Sequence, residues 1–499
     1  MYLLTVLAFA LLFLRAEQPV EWLLVGPDDR LETLCIVWLQ PLLVGLGAFL
    51  SVRRTRRLLD VCPDQPHRAQ QWHHRTLLLL RVLILIGFAV SILVTPWPAW
   101  FDLTSIAPAI QIVGDGIVLL PFLAAALAVW IGAFPAERRL RGYAVGYSPA
   151  LPPARPDHWR FSSYLDFQLR HHFLVVAVPM ALILFAANMT RGYRSTLQAW
   201  TGWVATPDVL LGAVAAGIFV VAPLLLRRIW RTRPLESGAI RERLETICNR
   251  IGMGVRDILV WKSDGMIVNA AVMGVFAPVR YVLLSDGLLN TMDDRHVEAV
   301  FGHEAGHVRH RHLQHFLVFG VASWLLVAGI MELAARLAVD VGGWPDVPLA
   351  GIQAIGLAAT VAVWGIGFGW LSRRFERQAD LFGAACVAPP VDECHIPCSV
   401  HAGFESKTGH ADRVCATGAA VFATALDRVA ILNGIPHDER SWRHSSIGSR
   451  IRFLFSMAGD PASAISFQRS IRRIKTGMLV AAALGSAIGV LYFTDLFGP

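Results

Sequence analysis

Charge is what this chain has least of: Asp, Glu, Lys and Arg make up only 16% of its 499 residues, against about a quarter in an ordinary soluble domain. With 55% apolar residues and a mean hydropathy of +0.50, that scarcity excludes a water-soluble fold of ordinary composition. No internal repeat of the kind that marks the inverted halves of a transporter is present. No basic residue precedes the apolar stretch Met1–Leu14, so it does not look like a standard secretory signal and reads as a short first span, with a cleaved signal or a re-entrant segment as the alternatives. Nor is there a single basic patch. The net charge of +8 is spread over alternate loops, which argues against a nucleic-acid partner.

What is present is apolar sequence in runs of roughly 15 to 28 residues, most of them long enough to cross about 30 Å of hydrocarbon as a helix. About nine are expected, near 1–15, 34–51, 76–98, 107–135, 172–190, 207–229, 316–340, 348–371 and 477–495. Arg53, Arg54, Arg56, Arg57, Arg68 and Arg75 fill the loop after the second run. Arg138, Arg139, Arg141, Arg155, Arg160 and Arg170 fill the one after the fourth, and Arg227, Arg228, Arg231 and Arg233 follow the sixth. The intervening connections, with Glu17, Glu21, Asp28 and Asp29 in one and Asp346 in another, are poor in basic residues. By the positive-inside rule the Arg-rich loops face the cytoplasm, and with them the polar stretches 230–315 and 372–476.

The chain therefore divides into an N-terminal membrane domain of about six spans (1–229), a polar part (230–315), a two-span hairpin (316–371), a second polar part (372–476) and a last span (477–499). The bilayer is its first partner. The Pro-rich piece 147–156 reads as a cytoplasmic linker. Of the seven cysteines, Cys248, Cys386, Cys394, Cys398 and Cys415 fall in the cytoplasmic stretches, where thiols stay reduced and a disulfide framework is not expected.

In the first polar part, an amphipathic helix is expected at 240–251, followed by extended runs at 257–261, 266–273 and 279–284, the first two joined as a hairpin by Ser263, Asp264 and Gly265. Thr291 and Asp294 have capping-box spacing ahead of the next helix. That helix carries His303-Glu304-Ala305-Gly306-His307, in which two imidazoles four residues apart share one face and can hold one ion. Glu304 projects about 100° away and can serve as general base to a water on the metal. His296, His310, His312 and His315 lie close by, so a merely His-rich surface helix is the bland alternative. After two more spans, Glu376 and Asp380 stand four apart on a predicted helix of the same compartment. Glu376 would complete a His₂Glu zinc site with a position left for water, and Asp380 could orient a histidine ligand. A solvated helix end laced by Arg373, Arg374 and Arg377 is the competing interpretation.

In this order the residues resemble metallopeptidase family 48, the integral-membrane zinc peptidases that include the CAAX prenyl proteases and the HtpX-type heat-shock proteases. Asn269-Ala270 with Gly274 is similar to the family's edge strand, His303 to His307 to its zinc helix, and Phe375-Glu376 with Ala379-Asp380 to its third-ligand helix. The resemblance spans roughly 236–455. With the apolar runs it points to an α-helical membrane protein of about nine transmembrane helices carrying a small α+β zincin-like cytoplasmic metalloprotease domain; nine spans are more than the family is expected to have, and residues 1–206 are not explained by the resemblance. It also implies one Zn²⁺ per chain, and a polypeptide substrate, membrane-embedded or lipidated, that adds as a strand beside Asn269 and Ala270. His444 with Arg450 is the candidate oxyanion pair it implies; the family has His-Pro at that point, whereas this chain reads His444-Ser445. A membrane endopeptidase of quality control or maturation is the expected function. A membrane sensor with a protease-like domain and a catalytically silent scaffold are the alternatives. Cys386, Cys394, His395, Cys398, His401, His410 and Cys415 form a second cluster whose spacing suits reduced thiols better than a structural zinc.

Overall fold

The computed structural model describes the chain apart from residues 18–24, 27, 63–64, 147–159, 341–348, 390–393, 395–413, 440 and 497–499. The Pro-rich piece 147–156, Glu21 and Asp346 thus lie outside the described residues. The chain forms two compact units: Met1–Arg233 with Trp261–Met266, and Pro234–Val260 with Ile267–Pro499.

The first unit is a helical bundle. Arg30–Val61, Arg68–Leu93, Leu120–Leu140, Phe161–Gly192 and Thr206–Ile229 are long and apolar enough to cross a membrane, and Tyr2–Ala16 is a shorter apolar helix. Its core pairs small with large side chains, Ala48 and Ala125 beside Ile84, Phe88 and Phe122. Leucines such as Leu42, Leu46 and Leu79 point outward, as a surface wetted by hydrocarbon requires.

The second unit adds His312–Val339 and Ile355–Cys386, which brings the membrane-length helices among the described residues to seven. The expected run 477–495 falls in the helix Pro461–Leu496. The chain is an α-helical membrane protein, as its composition requires. The helix leading to Glu376 is continuous but changes pitch: Val363–Phe368 is a π turn between Leu349–Ala362 and Gly369–Cys386. A π turn releases a backbone carbonyl from the helical ladder, and here the Gly365 carbonyl accepts the Trp442 indole N–H at 2.6 Å.

Residues 232–285 build a four-stranded sheet of β1 (Thr232–Pro234), β2 (Asp257–Trp261), β3 (Ala270–Met273) and β4 (Tyr281–Ser285), in the order β1-β2-β4-β3. This corrects the expected hairpin. Asp264 and Gly265 do form a tight turn with positive φ, but β2 and β3 are not neighbours, because β4 lies between them. Every residue of β4 is buried, so it takes the interior place, while the partly exposed β3 remains at the edge and pairs antiparallel with it from Ala270↔Leu284 to Met273↔Tyr281.

The motif helix runs Asp294–Arg309. Its cap is Asp293, whose carboxylate accepts the His296 N–H at 3.0 Å, not Thr291. Thr291 instead closes the short helix Asp286–Thr291, and its hydroxyl is held by the Gly287 carbonyl. Val297, Phe301 and Ala305 face the core formed with Val282, Leu284 and Leu381. The motif helix crosses Gly369–Cys386 at backbone contact. A Cβ on Gly306 would lie 3.1 Å from the Ala379 Cα and the Phe382 Cβ, and one on Gly302 would lie 3.2 Å from the Gly383 Cα.

Gly306→Val puts a branched side chain into that crossing. Overpacking of this kind costs about 1–3 kcal/mol, so the thermal unfolding midpoint should fall. A variant that melts with the wild type would show that the crossing tolerates separation.

Candidate metal centre

The crossing sets His303 and His307 of the motif helix against Glu376. The two histidine Nε2 atoms are 3.3 Å apart. His303 Nε2 is 3.6 Å from one Glu376 carboxylate oxygen, and His307 Nε2 is 3.6 Å from the other. Among the described residues, His303, His307 and Glu376 are the group of side chains that can hold a metal, with all three donor atoms within 4.8 Å of one another. Two imidazoles and a carboxylate are the donor set of a catalytic zinc that keeps a place for water.

Behind the donors lies a buried ion pair. Asp380, fully buried, is 2.9 Å from His303 Nδ1 and receives Arg450 Nε at 2.9 Å and Nη2 at 2.5 Å. Ser446 caps the helix Ile447–Gly459 by accepting the Ser449 N–H. That cap leaves His444 in the preceding loop and Arg450 in the first turns. Arg450, expected beside the oxyanion, is thus engaged with Asp380 and stands 3.8 Å from Glu376. His444 is half exposed, with Nδ1 2.9 Å from Glu376. Its loop is tied at the π turn through Trp442, whose carbonyl also accepts from Arg373.

The charges do not balance within the protein alone. Glu304, Glu376 and Asp380 bring three carboxylates to the Arg450 guanidinium and the His303 ring, so ionisation of all three leaves a deficit of positive charge that a cation at the site would cancel. Glu304 registers this deficit. Burial pushes its carboxyl up to about 7, His303 opposes the rise, Glu376 adds repulsion, and the Val272 N–H and Arg450 pull it back. His307 is brought down to about 4, first by burial and then by the charge of His303, so its ring is neutral and offers a lone pair at pH 7. Burial alone would lower His303 as well, but Asp380 and Glu376 outweigh it and raise its pKa.

Beside the donors runs the sheet edge. Asn269 precedes β3, its side-chain oxygen accepting the Ala270 N–H and its backbone N–H donating to Ser285 Oγ. β3 lies against the motif helix, close enough for the Val272 backbone to hold the Glu304 carboxyl down. Gly274 ends the strand at φ 102°, where a Cβ would strike the Val279 carbonyl at 2.3 Å. Of the second cluster, His395, Cys398, His401 and His410 lie outside the described residues. Cys394 and Cys415 bring their Sγ atoms to 3.6 Å, beyond the roughly 2 Å of a disulfide.

Sequence reading missed the group beneath His307. His307 Nδ1 is 2.9 Å from the Nδ1 of His312, and His312 Nε2 is 2.9 Å from Gln378 Oε1. Position in the sequence alone sets His312 beside His296, His310 and His315. Its place five residues beyond His307 and the lone Gln378 between Glu376 and Asp380 were the available signals.

A family model described as peptidase family M48 matches residues 234–401. The chain is 30% identical over 233 residues to a protease HtpX homolog of Bordetella pertussis, covering 42% of this chain and 75% of that protein. It is 31% identical over 230 residues to a protease HtpX homolog of Pyrobaculum islandicum, covering 45% of this chain and 63% of that protein, so the match spans less than two thirds of that relative's length. A crystal structure of S. mikatae Ste24p aligns with a TM-score of 0.48 at 14% identity, covering 85% of this chain and 98% of that one.

The raised Glu304 carboxyl makes a prediction for the metal-free protein. Between pH 4.5 and about 7 the folded state keeps a proton that the unfolded state releases, so stability falls as pH rises through that window. The shift corresponds to about 3 kcal/mol. Denaturation of metal-free wild type at pH 4.5 and pH 8 should show this loss relative to Glu304→Gln, which cannot titrate there. Parallel pH profiles for the two proteins would refute it.

Proposed function

The chain belongs to peptidase family M48, and from that membership we propose that it is an integral-membrane zinc endopeptidase, binding one Zn²⁺ per chain through His303, His307 and Glu376. The observation that carries the proposal is the convergence of those three donors beside Glu304 and an open strand edge. When bound, zinc would supply Lewis-acid polarisation of the scissile carbonyl and acidify a water towards neutrality.

The chain's own residues supply the rest. A polypeptide in extended form joins the outer edge of β3 beside Asn269 and Ala270, with backbone hydrogen bonds fixing its register. Glu304, next to the first histidine, takes the proton of the attacking water and returns it to the leaving amine. Asp380 holds the His303 ring, and Arg450 holds Asp380. His444, half exposed at the mouth of the site, donates to the carbonyl oxygen as it gains charge. This requires its contact with Glu376 to give way. The Arg-rich loops support a cytoplasmic catalytic face, and a site built at the ends of membrane helices favours membrane-embedded or lipidated proteins as substrates.

Glu304→Gln should abolish peptide cleavage while retaining about one zinc per chain, because it removes the base and leaves the donors. Glu376→Ala should lose the metal itself, measured by elemental analysis of purified protein. Cleavage by Glu304→Gln at the wild-type rate would sink the mechanism, and full zinc in Glu376→Ala would remove that carboxylate from the donor set. His444→Phe should reduce kcat by about 10²–10³-fold with metal content unchanged. An unaltered kcat would end its role at the oxyanion.

A further inference from the structure

Beneath the proposed metal donors, four polar side chains, His312, Gln378, Lys475 and Gln468, form a hydrogen-bonded chain that ends on His307 in the second unit. His312 is 1% exposed and lies flat on the Phe375 ring, with ring centroids 4.2 Å apart and 6° between planes. One of its nitrogens faces His307 Nδ1 at 2.9 Å and the other faces Gln378 Oε1 at 2.9 Å. Lys475 Nζ donates to the same Gln378 oxygen at 3.0 Å and to the His310 carbonyl, at the end of the motif helix, at 2.8 Å. Gln378 directs its amide nitrogen to Gln468 Oε1 at 2.5 Å.

The direction of each hydrogen bond follows from chemistry. An ammonium has donors only, so Lys475 requires the oxygen of the Gln378 amide on its side and settles which way that amide faces. That oxygen can only accept, so His312 Nε2 carries a proton. No carboxylate contacts His312 among the described residues, and Lys475 already supplies the positive charge of the network. The ring is therefore neutral and its Nδ1 holds a lone pair. His307 Nδ1 must then be the donor, which leaves the lone pair of His307 on Nε2. That nitrogen is the one that meets His303 Nε2 and Glu376.

We propose that His312 is a positioning residue for the metal: with Gln378 and Lys475 it fixes the tautomer and ring plane of His307, so that Nε2 is presented to zinc before zinc arrives. The inference rests on the zinc reading above. It gives the two histidine donors separate anchors, an anionic one at Asp380 for His303 and a neutral one at His312 for His307.

The test is zinc affinity, measured by competition with a chromophoric chelator on the purified full-length protein in detergent. His312→Phe, which keeps the ring stack, and Gln378→Met should each weaken zinc binding by about 10- to 100-fold, the range for loss of a group that orients a ligand. Gln378→Glu retains an acceptor oxygen for both His312 and Lys475, the Lys475 ammonium balances the added charge, and the Gln468 amide can turn to donate to it, so this variant should bind zinc within about threefold of wild type. The double variant His312→Phe/Gln378→Met should bind no more weakly than His312→Phe alone, because both substitutions cut one chain. A purely packing role predicts additive losses and no rescue by Glu. Wild-type-like affinity in both single variants, or losses that add, would overturn the proposal. If His312→Phe does not fold, the comparison of Gln378→Met with Gln378→Glu decides it. His303→Ala separates the two readings: zinc bound as tightly as in wild type there would refute the metal site itself, whereas its loss beside an unaffected Gln378→Met would refute only the relay.

Discussion

The site depends on how closely two helices approach. Asp294–Arg309 and Gly369–Cys386 meet through Gly302, Gly306, Ala379 and Gly383, and a single added Cβ at either motif glycine would meet backbone. Only at that separation can imidazoles from one helix and a carboxylate from the other converge, since each side chain spans a few ångströms. The same contact buries Asp380, which would be an uncompensated charge without Arg450 from a third helix. Removing one partner of such a buried pair typically costs about 3–5 kcal/mol. Packing thus brings the acidic groups together, and their need for countercharge recruits both Arg450 and, on the reading proposed here, the metal.

This electrostatic demand explains the differing states of chemically similar groups. Glu304 is pushed up by burial and by its neighbour Glu376, whereas His307 is pushed down by burial and by its neighbour His303. A divalent cation at the convergence would reverse the first and exploit the second. Its positive charge favours an ionised Glu304, and a neutral His307 needs no proton removed before it binds.

Much of this was legible in the chain. Apolar run length and the distribution of arginine gave the membrane class, and the His303–His307 spacing, with the later Glu376–Asp380 spacing, pointed to the candidate donor set, because each of those signals depends on local periodicity. Three features escaped: two are decided by long-range contacts, and the third by a competing local cap. The turn at Asp264 and Gly265 has hairpin chemistry, yet β4 occupies the place beside β2 because its five residues are the ones that bury completely. Asp293 outcompetes Thr291 as cap because Thr291 is spent on the helix before it. His312 looks like one more histidine in a polar stretch until the helix Pro461–Leu496 delivers Lys475 to the oxygen it shares. Arg450 was found by resemblance, but its partner Asp380 could be assigned only from the packed helices.

The π turn at Val363–Phe368 ties chain assembly to the bilayer. In hydrocarbon a carbonyl released from the helical ladder must find a donor inside the protein, and the Gly365 carbonyl takes the Trp442 indole. Trp442 lies two residues before His444, so the seat of the His444 loop is an irregularity in a membrane helix. That seat does not exist until the helix has formed across its length. A chain still leaving the ribosome, with the last spans not yet inserted, would hold its histidines and glutamates in the correct order and still lack a place to put His444.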